Sequence, residues 1–594
     1  MEQDLDRSKA HDSQRTEANI AGPQKQSAPY TVTWQTARTG LKIACLNDRP
    51  LASVYDPQKE AQRLLDGLLA LARQHSDIRH IMIVGAGSPY LLEALEPAAA
   101  SGPAGVEALQ WEFSIVEPVA DVYQWIRASG NWRTSIFKSA AEAQQYIQSR
   151  AVLVFPNRPL VSAFEVYRRT FDEVEQSANQ RQINLNTLNK FGPLWVRNLY
   201  SNFTEFLNAG ELVELQGAGK GKAAVLLGAG PSLTDHLPAI AASPRRDEFL
   251  IIAVDTALSV CRMHGLEPDF ALTVDPQPIN FYHMAGESFR RTILIADPAC
   301  SPLALRRWKG PLLRLQNPFP LSRELARISN HLNEDSLGYG GSVSTNAYDL
   351  ALYLECSEVL MVGQDLSFPA SRVHASGAAL EELWGFREKR LSSRETGNYR
   401  QRFSVPVVPL PSETDTVHSN DKLNVFYNWF NQRFARDAER IRISLLRSAG
   451  VRFSRGDIYD TFSQWEQGRS SPTSDHPLPR PDSNSSQALK SVSAKHPSSP
   501  FNLSRACGAL SELRQEFQDL VSAARSEAAL FENLQRLSRA IRLAGTGMQA
   551  EVERLQRSGR INDEFRKTLQ TQAELHSQLL LRTIRRLEVW QDAY

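Results

Sequence analysis

A chain of 594 residues is too long for one ordinary hydrophobic core and divides into two to four domains. With 42% hydrophobic residues it has a globular composition, and 67 basic against 66 acidic side chains leave a formal net charge of +1, so no overall field favours nucleic acid or an anionic membrane. The five cysteines (Cys45, Cys261, Cys300, Cys356, Cys507) are scattered without a C-x-x-C pair, which points away from a zinc site or disulfide framework and fits a reducing cytoplasm.

Residues 1–29 are polar and mixed in charge; they offer little to bury and no apolar address, so disorder and a cytoplasmic protein are expected. No apolar run approaches the roughly 20 residues that span a bilayer. From Tyr30 the pattern becomes periodic. PYTVTWQTARTGLKIACL reads as strands joined by a turn, and YDPQKEAQRLLDGLLALARQ as a helix opened at Asp56 and Pro57. IRHIMIVGAGSPYLLEALEPA is a buried strand, a turn of Gly85, Gly87 and Ser88, and a helix; WEFSIVEP is a second strand ending in Glu117. Strand, glycine turn, helix, strand and terminal acid is the order of dinucleotide and methyl-donor sites. Tyr90 stands where the third glycine would be, so a tight strand-to-helix turn of an α/β domain is the better account of the pattern.

AVLVFPN adds a strand, and a long helical connection bearing Phe191, Trp195, Arg197 and Tyr200 leads to the middle of the chain. The first domain is therefore placed at 30–210. A second, 211–467, alternates strands with helices through AVLLGAGPSL, FLIIAVDTAL, FALTVDPQP, TILIADP, PLLRLQNP and SEVLMVGQDLSF, the pattern of a Rossmann-like, mainly parallel sheet covered on both faces. Residues 468–500 are rich in Ser and Pro and read as a linker. In 501–594, Leu510, Leu513, Phe517, Leu520, Phe531, Leu534, Leu537 and Ile541, then Leu575, Leu579, Ile584, Leu587 and Trp590, fall at helical spacing. That region is a helical hairpin or bundle, serving a homo-oligomer or partner, or packing back on its own chain.

The chemistry-bearing residues gather in the second domain. Gly228, Gly230, Pro231 and Ser232 form a glycine turn at a helix start, where converging amides favour an anion and Ser232 caps the helix or donates its hydroxyl. Asp255 with Thr256, and Asp275, follow strands, where carboxylates accept from ribose hydroxyls or hold a divalent cation. Gly340, Gly341 and Ser342 open another helix, and Gln364 and Asp365 end another strand. Together they predict a nucleotide site. His374, in the polar loop that follows, is a candidate general base.

This series, GAGPSL, then AVDTAL with PDFALTVDPQP, then GYGGSVSTNAYDLALYLECSEVLMVGQDLSF and its downstream histidine, resembles the motility-associated factor (Maf) family across roughly Tyr30 to Asp460. The central domain is similar to bacterial sialyltransferases. The resemblance implies an inverting glycosyltransferase that moves a nonulosonic acid of the pseudaminic or legionaminic type from a CMP-activated donor to Ser or Thr of flagellin. By that match the Gly228–Ser232 turn approaches the CMP phosphate, Asp255 and Thr256 lie near the nucleotide with Asp275, Gly341 and Ser342 line its other side with Gly340, and Gln364 and Asp365 sit beneath the donor sugar. His374 acts as base and Asp365 as its catalytic companion. No cofactor is obligatory, while Mg²⁺ on Asp255, Asp275 and Asp365 is compatible. The family's acidic, glycine-containing TEGG-like motif is replaced by LLRSAGVRFSRGD. Two alternatives stand beside this reading: a pterin diphosphokinase using Mg²⁺ and ATP, related through the same central domain, and a flagellin-binding chaperone with a vestigial nucleotide fold.

Overall fold

A computed structural model describes residues 30–72, 74, 80–101, 111–149, 152–207, 209–284, 289–330, 337–338, 340–469, 503–533, 535–545 and 563–593. It forms two compact units, one up to Asn186 and one from Thr187 to Tyr594, dividing inside the long helix Glu165–Asn202 rather than at residue 210. The expected disorder of 1–29 and nearly all of the expected linker lie outside the described residues.

In the first unit, β1 (Val32–Thr36), β2 (Lys42–Leu46) and β3 (Arg49–Pro50) form an antiparallel sheet. Helix Pro57–Ala72 begins where Asp56 accepts a hydrogen bond from the Lys59 amide (2.9 Å), and it buries Ala61, Leu65, Leu68 and Ala72 at helical spacing. Next come β4 (His80–Val84), β5 (Glu112–Val116), β6 (Ser135–Phe137) and β7 (Val152–Pro156), a parallel sheet in the order β6-β5-β4-β7. After β4, the amides of Ala86 and Gly87 each donate to the Glu117 carboxylate at 3.0 Å, which also accepts from Val119 N (3.1 Å) and the Tyr167 hydroxyl (2.7 Å). Glu117 is wholly buried and fills the anion cradle of this turn itself. The strand-turn-acid pattern here is therefore a structural lock, with the acid turned onto the glycines instead of toward a ribose.

The second unit is built on nine parallel strands: β8 (Gly210–Glu211), β9 (Ala223–Leu227), β10 (Phe249–Val254), β11 (Phe270–Thr273), β12 (Ile293–Ala296), β13 (Leu312–Arg314), β14 (Glu358–Val362), β17 (Arg442–Leu446) and β18 (Asp457–Tyr459). Their order is β18-β17-β14-β9-β10-β11-β12-β13-β8, while β15 (Val407–Pro411) and β16 (Thr416–Asn420) make a separate antiparallel hairpin. Every residue of β9, β10 and β14 is buried, as expected of strands covered on both faces.

The C-terminal helices Leu503–Ala523, Ser538–Ala544 and Asp563–Ala593 belong to this same unit rather than to a separate domain. Leu510, Leu513, Phe517 and Leu520 pack with Leu569, Leu580 and Leu587 and with Leu199, Tyr200, Phe203, Leu321 and Leu325. Burial of each such side chain contributes about 2 kcal/mol. Of the two alternatives for this apolar stripe, an oligomer or partner seam and packing on its own chain, the structure has the second; Leu534 and the side chains of Phe531 and Trp590 lie outside the described residues. Tyr200, on the long helix, lies 2.9 Å from His576 Nδ1, whose ring stacks on Phe517 at 4.5 Å. One turn of the same helix reaches the central sheet: Asn198 Nδ2 donates to the Pro276 and Ala299 carbonyls, and Asn202 Nδ2 to those of Pro298 and Cys300, all at 2.9 Å.

Burial pushes the His576 pKa from 6.5 down to about 3. The folded value lies below the unfolded one, so stability is complete above about pH 6.5 and is lost as pH falls through the window toward 3. Thermal melting between pH 7 and 4 is expected to lose about 1.4 kcal/mol per pH unit from this group in the lower part of that range. A His576→Gln variant will show a flatter pH dependence.

Candidate functional site

β9 lies between β14 and β10, and the chain winds outward from it in both directions. Such a switch point opens a crevice at the carboxyl ends of the strands. The Gly228–Ser232 turn leaves β9 there, and Gly363, Gln364 and Asp365 leave β14 beside it. The two are stitched by Gly228 N to Val362 O (2.8 Å) and Gly230 N to Gly363 O (2.9 Å). A Cβ on Gly228 would come within 2.5 Å of the Gly363 carbonyl, and one on Gly230 within 2.7 Å of it as well as onto the Asp365 carboxylate, so glycine is required by proximity.

Asp365, 1% exposed, accepts from Ser232 N (3.0 Å) and Ser232 Oγ (2.9 Å). Burial raises its pKa, opposed by those two bonds and by Ser448. This corrects two expectations. Ser232 does not cap the helix Leu233–Ala241 with its side chain. The amides of Gly228, Gly230 and Ser232 are engaged within the protein rather than held open for a phosphate. Asp365 braces the turn from inside through Ser232. Pro231, buried with them, has no amide hydrogen to offer.

The second glycine turn converges on the same crevice. Gly341 has φ +83°, and Ser342 caps helix Val343–Tyr353 by accepting from Ser344 N (3.4 Å). Asn346 and Asp349 of that helix hold Gly338 ahead of the turn, Asn346 Nδ2 donating to Gly338 O (2.9 Å) and Gly338 N to Asp349 Oδ2 (2.5 Å). Arg433 pairs with Asp349 and with Asp437 (2.8 Å). Gln364 Nε2 donates to Ser344 Oγ at 3.0 Å and so joins the two turns. Gly340 abuts Thr345, whose hydroxyl donates to Ser342 O (2.6 Å).

Asp255, 2% exposed, accepts through Oδ1 from Thr256 N (2.7 Å) and Thr256 Oγ1 (3.1 Å), and through Oδ2 from Thr273 Oγ1 (2.8 Å) and Asn280 Nδ2 (2.7 Å). With both oxygens engaged, Asp255 and Thr256 fasten the ends of β10 and β11 to helix Asn280–Met284 rather than reach for a ribose. Asp275 is half-buried and accepts from Gln277 N (2.8 Å); burial and the neighbouring Asp255 raise its pKa, and Lys422 lowers it. It is the one carboxylate of the three that is not fully buried. The three do not fit a cation site, since two are committed to internal donors, and among the described residues no group of three or more His, Cys, Asp and Glu is placed to hold a metal ion.

His374 lies over the first glycine turn. Its ring is within hydrogen-bonding reach of the Ala229 carbonyl, which also accepts from Ala375 N (3.0 Å). The loop leading to it carries Leu366, Ala370 and Ser371 at φ +44°, +49° and +62°, a left-handed backbone that costs energy in non-glycine residues. Beyond it, the Glu381 carboxylate accepts from the His374 amide and from Asn398 Nδ2 (3.1 Å), while Asn398 Oδ1 accepts from Val373 N (3.0 Å). Burial first, then His283 and Lys422, brings the His374 pKa down from 6.5 to about 4, so its ring is neutral at cellular pH. Sequence reasoning missed His283, Asn280, Ser344 and Lys422. Only Ser344 stood inside a recognisable motif. A Gly230→Ala protein is expected to lose about 1 to 3 kcal/mol in thermal or denaturant unfolding through overpacking on Asp365. Gly508→Ala, at a helix position with open space around it, should gain about 0.5 to 1 kcal/mol.

Residues 197–371, which contain both glycine turns, match the family model described as 6-hydroxymethylpterin diphosphokinase MptE-like. Two uncharacterized proteins of Treponema pallidum (strain Nichols) are similar to parts of the chain. One is 30% identical over 159 residues, 25% of this chain and 40% of the relative; the other is 39% identical over 93 residues, 15% and 41%. The aligned region spans about two fifths of the length of each of these relatives. A solved structure, the Maf glycosyltransferase from Magnetospirillum magneticum AMB-1, covers 94% of this chain and 92% of its own at a TM-score of 0.51 and 15% identity. That neighbour shares its fold with nearly the whole length of this chain, and residues 197–371 within that fold are the part that matches the MptE-like model.

Proposed function

We propose that the protein is a cytoplasmic glycosyltransferase moving a nonulosonic acid, of the pseudaminic or legionaminic type, from a CMP-activated donor to Ser or Thr hydroxyls of flagellin. The observation that carries the reading is a neutral His374 held over Ala229 where Gln364 joins two glycine turns at the sheet's switch point. The nucleotide lies in that crevice, its phosphate toward the start of helix Val343–Tyr353, where Ser342 and Ser344 supply hydroxyls and the helix end supplies positive potential. His374 takes the proton of the acceptor hydroxyl as its oxygen bonds to the anomeric carbon from the face opposite the leaving group. The bond to the CMP oxygen breaks with its electron pair, inverting the centre. Lys422 and the helix start offset the charge that develops on the phosphate, without a metal ion.

A base with a pKa of about 4 is available but weak. The anionic donor bound beside it favours the protonated form and raises that value toward the working range. The pH profile of kcat/KM, which reports the free enzyme, should therefore stay level down to about pH 5 and fall toward 4, where His374 becomes charged, whereas the profile of kcat should break at a higher pH. His374→Ala is expected to retain CMP affinity and lose transfer by about 100-fold or more, read by intact-mass spectrometry of flagellin incubated with CMP-nonulosonate. Unchanged transfer would remove His374 from the mechanism. Binding of Mg²⁺-ATP in place of CMP would turn the assignment to a diphosphokinase, and flagellin binding without any sugar transfer would turn it to a chaperone.

A further inference from the structure

The segment that follows His374 folds into two short helices, Ala379–Phe386 and Arg394–Arg402, closed by a tight turn in which the Lys389 and Ser392 backbones bond to each other at 3.0 and 2.9 Å. Their packing is close: a Cβ on Gly397 would meet the Trp384 ring at 2.8 Å, and Gly385 lies against the Arg394 guanidinium. Yet the tip of this hairpin is strongly apolar and open to solvent. Phe386 is 91% exposed and Leu391 93%, with Tyr399 at 60% and Phe403 at 47% on the same segment. Soluble proteins rarely leave side chains of this size so fully exposed in a cluster unless something covers them.

Three further observations say what does. The exposed cluster continues into the mouth of the crevice, because helix Ala379–Phe386 packs on helix Asn280–Met284, where Tyr282 is 41% exposed and adjoining Ile279 37%. The hairpin is also bonded to the proposed base, since Glu381 and Asn398, one from each helix, hold the His374 and Val373 amides. The charge of the surface is one-sided. Between Phe386 and Val405 stand six basic residues (Arg387, Lys389, Arg390, Arg394, Arg400, Arg402) against two acidic ones (Glu388, Glu395), in a chain whose formal net charge is only +1.

We infer that this hairpin is the docking surface for the protein acceptor, fitting a polypeptide that presents apolar side chains flanked by carboxylates, with the hydroxyl to be modified reaching past the hairpin to His374. The inference rests on the transferase reading and names the partner surface of the same site. A protein acceptor needs a footing outside the crevice that a small sugar acceptor does not. Exposed aromatic and leucine side chains ringed by arginine supply such a footing, the apolar groups holding and the charges steering.

The test is a Phe386→Ala/Leu391→Ala protein, whose folding is safe because neither side chain contributes to the core. Flagellin binding by biolayer interferometry is expected to weaken about tenfold or more, with CMP affinity by calorimetry unchanged. An Arg387→Glu/Arg390→Glu protein should bind flagellin more slowly at low salt and lose most of that difference at high salt. Equal binding by wild type and the double variant, or self-association of the wild type that the variant abolishes while flagellin binding persists, would overturn the inference. A wild type that binds flagellin through the hairpin yet transfers no sugar leaves the surface standing and defeats the transferase reading instead.

Discussion

The carboxylate of Asp365 beneath the Gly230–Ser232 turn is the constraint on which the site depends. One side chain, leaving β14, fixes the backbone that leaves β9, so the two strands flanking the switch point cannot shift independently. Its own backbone is clasped in turn: Val451 N donates to Asp365 O at 2.9 Å, and a Cβ on Gly450 would come within 2.5 Å of that oxygen. The following carbonyl, of Leu366, accepts from Ser419 Oγ on β16 at 2.7 Å. A buried carboxylate without such bonds would be costly; with them it makes the crevice floor stiff.

The first unit uses the same device at Glu117, with a different result. There the acid takes the Ala86 and Gly87 amides of the glycine turn, and Tyr167 and Val119 N complete it. In the central sheet the acid takes only Ser232 from the turn, with Ser448 from outside it, and the crevice keeps the Ser342–Ser344 helix start and Gln364 along its other wall. Glycine turns that look alike in sequence thus differ by what fills them. A turn occupied by an internal carboxylate is finished structure, whereas one braced from below leaves a neighbouring wall for a ligand.

This difference marks where sequence reading stops. Continuous apolar runs such as FLIIAV, each closing at a polar residue and separated by helical segments, made the parallel sheet legible, and the apolar spacing of Leu510, Leu513, Phe517 and Leu520 made the tail helices legible. The placing of two glycine turns in one crevice was legible too, because strand-end motifs of a parallel sheet gather at one edge. The partners of each acid were not. Nothing local told that Asp255 would meet Thr273 and Asn280, that Asp365 would turn inward on Ser232, or that Lys422 and His283 would flank His374 from distant helices. Such pairings are set by which strands lie side by side. The fate of the tail helices was equally hidden, since a stripe that packs on its own chain and one that packs on a copy share one pattern.

Asn198 and Asn202 carry a last consequence. Asn198 ties down the loops that follow β11 and β12 and Asn202 the second of them, and the helix that bears them presents Leu199, Tyr200 and Phe203 to helices that begin at Leu503. The loop holding Asp275 is therefore secured by a clamp whose other jaw begins 228 residues downstream of it. During synthesis β11 and β12 emerge long before that jaw does, and their loops stay unsecured until the tail has been made and has closed on the long helix. Maturation of the crevice is thus tied to the making of the tail helices, and a protein cut within them would keep its sheet while leaving the rim of its site slack.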